Sequence, residues 1–311
     1  MNLPRSRRRL LAALLLPLLF PFTVHAEPIT VGVTLSSYET FLAYMRGSMV
    51  REAAARHIKV QFEDANHDVG KQVSQVQNFI AQRVAAIIVN PADTSATKRI
   101  SAMARQAGIP LVYVNRKPLE KMGDGVAFVG SDSLVAGRLQ MEELARRMHG
   151  KGTLAIMVGE LSTDAAQDRT SAVKAVVKRY PGITIVQEQV ADFDRKKGID
   201  LMSKWLSAGV RMDAIAANND EMALGALLAM KQANVAPSAI IVAGVDATPD
   251  ALASMRAKEL AFTVFQDADK QGVGAIDVAL RMVNKQAVEP LNMIPYRLVT
   301  LDNIASYSGN K

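Results

Sequence analysis

The chain has 311 residues, 37 of them Lys or Arg and 30 Asp or Glu, and no cysteine, so disulfide bonds and thiolate metal sites are excluded. Arg5, Arg7, Arg8 and Arg9 are four of the 37, and with 33 left against 30 acids the basic excess of the whole chain says nothing about nucleic acid.

Those arginines precede an apolar run, Leu10 to Phe22, that is too short to span a bilayer, and Val24-His25-Ala26 puts small residues at a cleavage position. Residues 1–26 are therefore expected to be a secretory signal peptide cleaved after Ala26, leaving the rest of the chain free in a periplasm. Ser6-Arg7-Arg8-Arg9-Leu10-Leu11 also fits a twin-arginine signal loosely, but the Leu-rich run favours the general secretion route. No Cys stands at the cleavage point to carry a lipid anchor.

After Glu27-Pro28 a strand is predicted over Ile29–Thr34, then a polar loop with Tyr38, then a helix over Phe41–Ala55. Thr34, Tyr38 and Phe41 stand at that strand's carboxyl end, although Phe41 also suits a packing role at the helix entry. Ile58–Asp64 reads as a strand, and Val73, Val76 and Ile80 then recur at helical spacing. The apolar stretch 85–90 ends on Asn90, a helix follows, and a second apolar strand ends on Asn115-Arg116. A guanidinium there is often a surface ion-pair group; facing a cleft, its planar fork can hold two vicinal hydroxyls or a carboxylate. Val126–Val129 is a further strand and Leu134–Met148 a helix.

The order then repeats about 125–130 residues later. Strand Leu154–Val158 leads to helix Ala166–Arg179 and strand Ile183–Val190; Ile199, Met202 and Leu206 mark the next helix. Strand Ala214–Ala217 runs into Asn218-Asn219-Asp220-Glu221 and another helix, and strand Ile240–Val245 ends on Asp246. Strands alternating with amphipathic helices imply an α/β fold: two similar doubly wound parallel-sheet lobes, with ligands at the carboxyl ends of the strands. Asn219 or Asp220 also suits the N-cap of its helix. Arg169 falls in the first turn of the predicted helix, where a cation opposes the helix dipole, so it is read as functional or as a partner of Asp164 or Asp168. Phe193, flanked by Asp192 and Asp194, suits a partly open site, whereas Trp205 reads as core.

Strand Leu260–Phe265 ends on Gln266-Asp267, and a helix over Gly272–Val283 and a strand over Met293–Val299 follow. These do not form a third repeat. They are expected to cross between the lobes near Ser131, Gln266 and Ile294, making a three-segment hinge. The expected division is 27–131 plus 267–294 against 132–266 plus 295–311. Enzyme signatures are missing: His57, His67 and His149 are far apart, no metal-ligand spacing or nucleophile elbow occurs, and Gly272-Val273-Gly274 lacks the third glycine of a dinucleotide fingerprint. His67-Asp68 reads as a solvated turn. No catalytic residue, metal or cofactor is nominated.

At Asn219-Asp220-Glu221-Met222-Ala223-Leu224-Gly225-Ala226 the sequence resembles the ribose-binding type I periplasmic binding proteins of ABC importers. Ala191-Asp192-Phe193-Asp194-Arg195, Gly244-Val245-Asp246 and Thr263-Val264-Phe265-Gln266 carry the same resemblance, which covers nearly all of the chain after residue 26. It implies ligand contacts at Thr34, Tyr38, Phe41, Asn115, Arg116, Arg169, Phe193, Asn219, Asp246 and Gln266. Ribose binders have two adjacent Phe where this chain has Thr40-Phe41, an Asn where it has Tyr38, and Asp-Arg where it has Asn115-Arg116.

The resemblance implies a soluble binding protein that closes on a monosaccharide or cyclitol: an aldohexose, an inositol or a pentose. It implies delivery to an ABC permease with its ATPase and no nucleic-acid partner, and presentation to a chemoreceptor is compatible with it; a monomer is expected because no coiled-coil pattern or swapped element is apparent in the sequence. Two other readings stay open here, an exported α/β enzyme acting on a small sugar and the effector domain of a LacI-type regulator.

Overall fold

The computed structural model describes residues 29–307; the expected signal peptide lies outside the described residues. A first set of strands and helices runs β1 (Thr30–Leu35), α1 (Thr40–Ala55), β2 (Lys59–Asp64), α2 (Val69–Ala81), β3 (Ala86–Val89), α3 (Thr97–Ala107), β4 (Leu111–Val114) and β5 (Val126–Gly130). A second set runs α4 (Ser133–Arg147), β6 (Lys151–Val158), α5 (Asp164–Val177), β7 (Gly182–Val190), α6 (Arg195–Ser207), β8 (Ala214–Ala217), α7 (Asp220–Gln232), β9 (Ile241–Ala243), α8 (Pro249–Arg256) and β10 (Thr263–Phe265). The chain closes with α9 (Ala268–Val283), β11 (Leu291–Met293) and β12 (Arg297–Val299).

The first sheet is parallel in the order β11-β5-β4-β3-β1-β2. Strand β3 shows why its residues are apolar at every position. Ala86 and Ile88 pack with Met45, Met49 and Ile276 of α1 and α9, whereas Ile87 and Val89 pack with Val76, Phe79 and Ile100 of α2 and α3. Side chains alternate across a pleat, so a strand covered on both faces has no polar position to offer. The second sheet is parallel in the order β7-β6-β8-β9. The antiparallel pair β10 and β12 continues it through bridges between Ala243 and Phe262 and between Asp246 and Phe265. Trp205 is buried in this second core.

The chain passes between the two sheets three times: after β5, after β10 and between β11 and β12. The expected strand over 293–299 is in fact two. Strand β11 pairs parallel with β5 in the first sheet and β12 antiparallel with β10 beside the second; between them stands Pro295, which has no N–H for a ladder. Helix α9 starts at Ala268, ahead of the expected Gly272, because Asp267 caps it by accepting from Lys270 N at 2.9 Å. Glycines set one contact in the second lobe. A Cβ on Gly225 would lie 2.3 Å from the Arg195 carbonyl oxygen, so α6 and α7 touch backbone to backbone there. Among the described residues no helix is long and apolar enough to cross a membrane.

Candidate ligand-binding site

The strands of both sheets point their carboxyl ends at one cavity of about 530 Å³, counted to its open mouth. The first lobe contributes Glu39, Thr40, Phe41 and Leu42 from the start of α1, and Asn115 and Arg116 from the end of β4. The second contributes Ala165 and Arg169 of α5, Phe193 beyond β7, Asn219 and Glu221 at the start of α7, Asp246 beyond β9 and Gln266 beyond β10. Three helix N-termini thus converge on the space, and that of α1 has no side-chain cap, so its first N–H groups face a place suited to ligand oxygens.

Three lining residues sit on left-handed backbone, Asn115 at φ 68°, Phe193 at 60° and Asp246 at 125°. Such conformations cost energy in L-residues and are held only where the surroundings over-determine them. Asn115 is held by amides on both sides. Its Nδ2 donates to Gln271 Oε1 at 3.1 Å, and its Oδ1 accepts from Asn90 Nδ2 at 3.2 Å. Phe193 is held by space. Its ring lies over Gly159, where a Cβ would come within 2.2 Å of it.

The most constrained side chain is Arg169, which is 4% exposed. Its Nη1 donates to the Asn218 carbonyl at 2.5 Å, and its Nη2 donates to Gln266 Oε1 at 2.7 Å and to the Tyr296 hydroxyl at 2.9 Å. Asp246 Oδ1 is 4.0 Å from it. Burial pushes the Asp246 carboxyl well above the usual carboxylate range; Arg169 opposes this, and Asp220 and Glu221 add to it. Sequence reasoning placed Arg169 in the first helical turn, as a functional residue or as a partner of Asp164 or Asp168. Helix α5 instead starts at Asp164, capped by Thr163, so Arg169 lies in its second turn and reaches across to the second sheet and the last crossing segment.

Eight of the ten residues singled out from the sequence line the cavity: Phe41, Asn115, Arg116, Arg169, Phe193, Asn219, Asp246 and Gln266. Thr34 and Tyr38 do not. Thr34 is on the opposite face of β1 from Val33 and Leu35, and its hydroxyl donates to Gln75 Oε1 at 2.6 Å on α2. Tyr38 turns outward, 39% exposed, with the Arg46 guanidinium 4.8 Å from its ring centre. Asn219 serves two ends, its Oδ1 accepting from Met222 N as a helix cap and its Nδ2 donating to the Phe193 carbonyl. Of the acids that sequence reading passed over, Glu221 is held by a two-point bond from Arg195, and Glu39 faces His67.

A structural pair also emerged from the repeat. Asn90 after β3 accepts from Ser36 N, and Asn218 after β8 accepts from Gly159 N, so each lobe clips its first strand end to its third with the same residue type. The lobes touch at the cavity mouth, where Thr94 N donates to the Ser162 carbonyl, Lys117 N to Asp164 Oδ2, and Arg116 Nη2 to Glu160 Oε2 at 2.8 Å.

Two lobes closing on one polar cavity are the architecture of a solute binder, and a family model for the periplasmic binding protein domain matches residues 31–287. The chain belongs to the periplasmic binding proteins. It is 46% identical over 291 residues to a putative rhizopine-binding protein of Rhizobium meliloti, covering 92% of this chain and 94% of that one. It is 32% identical to the ribose import binding protein of Bacillus subtilis, covering 87% of each. Among solved structures, the ABC transporter solute-binding protein of Bacillus halodurans with bound myo-inositol superposes with a TM-score of 0.87 at 42% identity, covering 92% of this chain and all of that one. Periplasmic binding proteins are carriers, and this one shares the type I fold of the family's sugar binders.

Proposed function

We propose that this periplasmic binding protein takes a cyclitol, with myo-inositol or a close derivative first and aldohexoses and pentoses next, and hands it to an ABC permease driven by its ATPase. The observation that carries the reading is the pairing of polar groups and rings across the cavity. Phe41 and Phe193 come from opposite lobes and can cover the two C–H faces of a six-membered ring. Asn115 and Arg116 from one lobe and Arg169, Asn219, Asp246 and Gln266 from the other meet a rim of hydroxyls. Likeness to the myo-inositol complex and to the rhizopine-binding protein supports the cyclitol over ribose, as does the neutral Asn115, which replaces the acid of the ribose pattern.

Ligand binding shifts a population of open molecules to closed ones through better contacts in the closed state. The hinge is formed by the crossing segments near Ser131, Gln266 and Ile294, and the lobes are 27–131 plus 267–294 and 132–266 plus 295–311. The working protein is a monomer in the periplasm, exported by residues 1–26, and releases its ligand unchanged.

The test is the melting temperature of the protein from residue 27 onward against inositols, aldohexoses, pentoses and sugar alcohols at millimolar concentration. A ligand at 100 times its Kd stabilises by about 2.7 kcal/mol, a visible shift. A shift with myo-inositol and none with simple alcohols is expected; a flat panel would remove the polyol reading. Gly159→Ala probes the ring. It is expected to displace Phe193 and to weaken binding by about tenfold with the fold retained, as overpacking of this kind commonly costs, and calorimetric titration reads it.

A further inference from the structure

The lobes also meet at a cluster at the cavity mouth, in which Glu39 and Arg116 line the cavity and His67 and Glu160 stand behind them. His67, in the turn between β2 and α2, has Nε2 2.9 Å from Glu39 Oε1 and Nδ1 2.7 Å from Glu160 Oε1. Glu39 precedes α1 in the same lobe as His67, whereas Glu160 follows β6 in the other. The second oxygen of Glu160 accepts from Arg116 Nη2 at 2.8 Å, and Arg116 Nη1 donates to the Pro91 carbonyl at 3.0 Å. The imidazole is held in place by its own backbone, whose N–H donates to the Ser36 carbonyl at 2.7 Å.

A neutral imidazole has one N–H and one bare nitrogen, so between two carboxylates it satisfies only one; the imidazolium donates to both. We infer that His67 and Glu160 form a proton-dependent clasp between the lobes, which holds Arg116 in its ligand-facing position and strengthens binding without touching the ligand. The inference rests on the closed, ligand-holding reading above. When the lobes part, Glu160 leaves His67 and Arg116 while Glu39 stays beside the imidazole. Closure therefore favours the protonated ring. The clasp contributes while the ring donates from both nitrogens, and its contribution is lost as pH rises and the ring gives up one proton.

Burial raises the Glu39 carboxyl above its ordinary range, and His67 opposes this. Asp64 accepts from Asn66 N and Asp68 caps α2 through Lys71 N, so both are engaged on their own turn. Lys197 lies in the field of Glu160 but is paired with Asp192 at 2.8 Å. Asp164, which accepts from Lys117 N across the same mouth, is pushed up to about 6 by burial. His67→Gln leaves Asp164 and its Arg116 neighbour in place, so the comparison of that variant with wild type carries the test. Glu39, His67 and Glu160 also bring their ligand atoms within 4.8 Å of one another. The two ring nitrogens face opposite sides, however, and Arg116 already neutralises Glu160, so a proton fits the cluster better than a divalent cation.

The test is a double-mutant cycle on myo-inositol affinity, measured by titration calorimetry at pH 6 and pH 8 with wild type, His67→Gln, Glu160→Gln and the double variant. His67→Gln is expected to weaken binding about twofold to fivefold at pH 6 and hardly at all at pH 8, the scale of a partly exposed ion pair. Glu160→Gln weakens binding at both, because Arg116 loses its charged anchor, and His67→Gln then adds nothing. An equal effect of His67→Gln at the two pH values, or one that persists in the Glu160→Gln background, overturns the clasp and leaves the ligand reading standing. Failure of wild type to bind any member of the polyol and sugar panel at either pH overturns the ligand reading, and the clasp with it.

Discussion

Replacing Asp246 with Asn is expected to lower polyol affinity by at least about 100-fold while leaving the fold in place. Asp246 is a lining acceptor beyond β9, 4% exposed. A carboxylate can accept from two vicinal hydroxyls at once, and losing charged bonds in a buried site costs roughly 3–5 kcal/mol. The isosteric amide keeps the shape and can follow the left-handed backbone at φ 125°, which Asn tolerates better than most residues. Burial already holds the Asp246 carboxyl well above its ordinary range, so the fold accommodates a neutral group there. The same shift carries a sign for binding. Hydroxyl donors favour the ionised form, so the Asp246 contribution is present above its raised range and is lost as pH falls through it. Calorimetry checks the affinity and circular dichroism the fold; Asp246→Asn binding as wild type does would remove Asp246 from the site.

Replacing Arg169 with Leu is expected to have the larger effect on stability. Arg169 donates to the end of the second sheet at Asn218 and to two segments by which the chain crosses between lobes, at Gln266 and Tyr296. Leucine fills part of the volume but removes the donor to the buried Asn218 carbonyl, the Gln266 amide and the Tyr296 hydroxyl. Removing one partner of such a buried network costs roughly 3–5 kcal/mol, which corresponds to a fall of about 10 °C in Tm for lobes of this size. Thermal unfolding of ligand-free protein reads it. A loss of binding with an unchanged melt would mean that Arg169 serves the ligand alone.

Much of this was legible before any coordinates because the physics involved is local and periodic. The repeat of apolar strands ending on polar residues places Asn115, Asn219 and Asp246 at strand ends, and a parallel sheet leaves only that edge for a ligand. What failed was side-chain direction. Thr34 is one residue from the end of β1, and the period-two pleat puts it with Gly32 on the α2 face, where Gln75 takes its hydroxyl. Counting alternation from Val33 would have shown this. Tyr38 has no such signal, because its outward turn depends on Arg46 on the following helix. Glu221 and Glu39 were missed for a different reason. Their neighbours Asp220 and Thr40 have equal claim by sequence, and only the helix phase decides that Asp220 points into the core, where it accepts from Thr263 and Thr248, while Glu221 faces the cavity. The partners of His67 could not be read from the chain at all. Glu160 is 93 residues away and is brought beside His67 only by the tertiary fold.

The measurement that tests the account most directly is a crystal structure of the protein grown with myo-inositol. The account predicts one molecule between the rings of Phe41 and Phe193, with hydroxyls within hydrogen-bond reach of Asp246, Arg116 and Asn219. An ordered ligand elsewhere on the surface with that cavity filled by water, or no bound ligand at millimolar concentration, would contradict it.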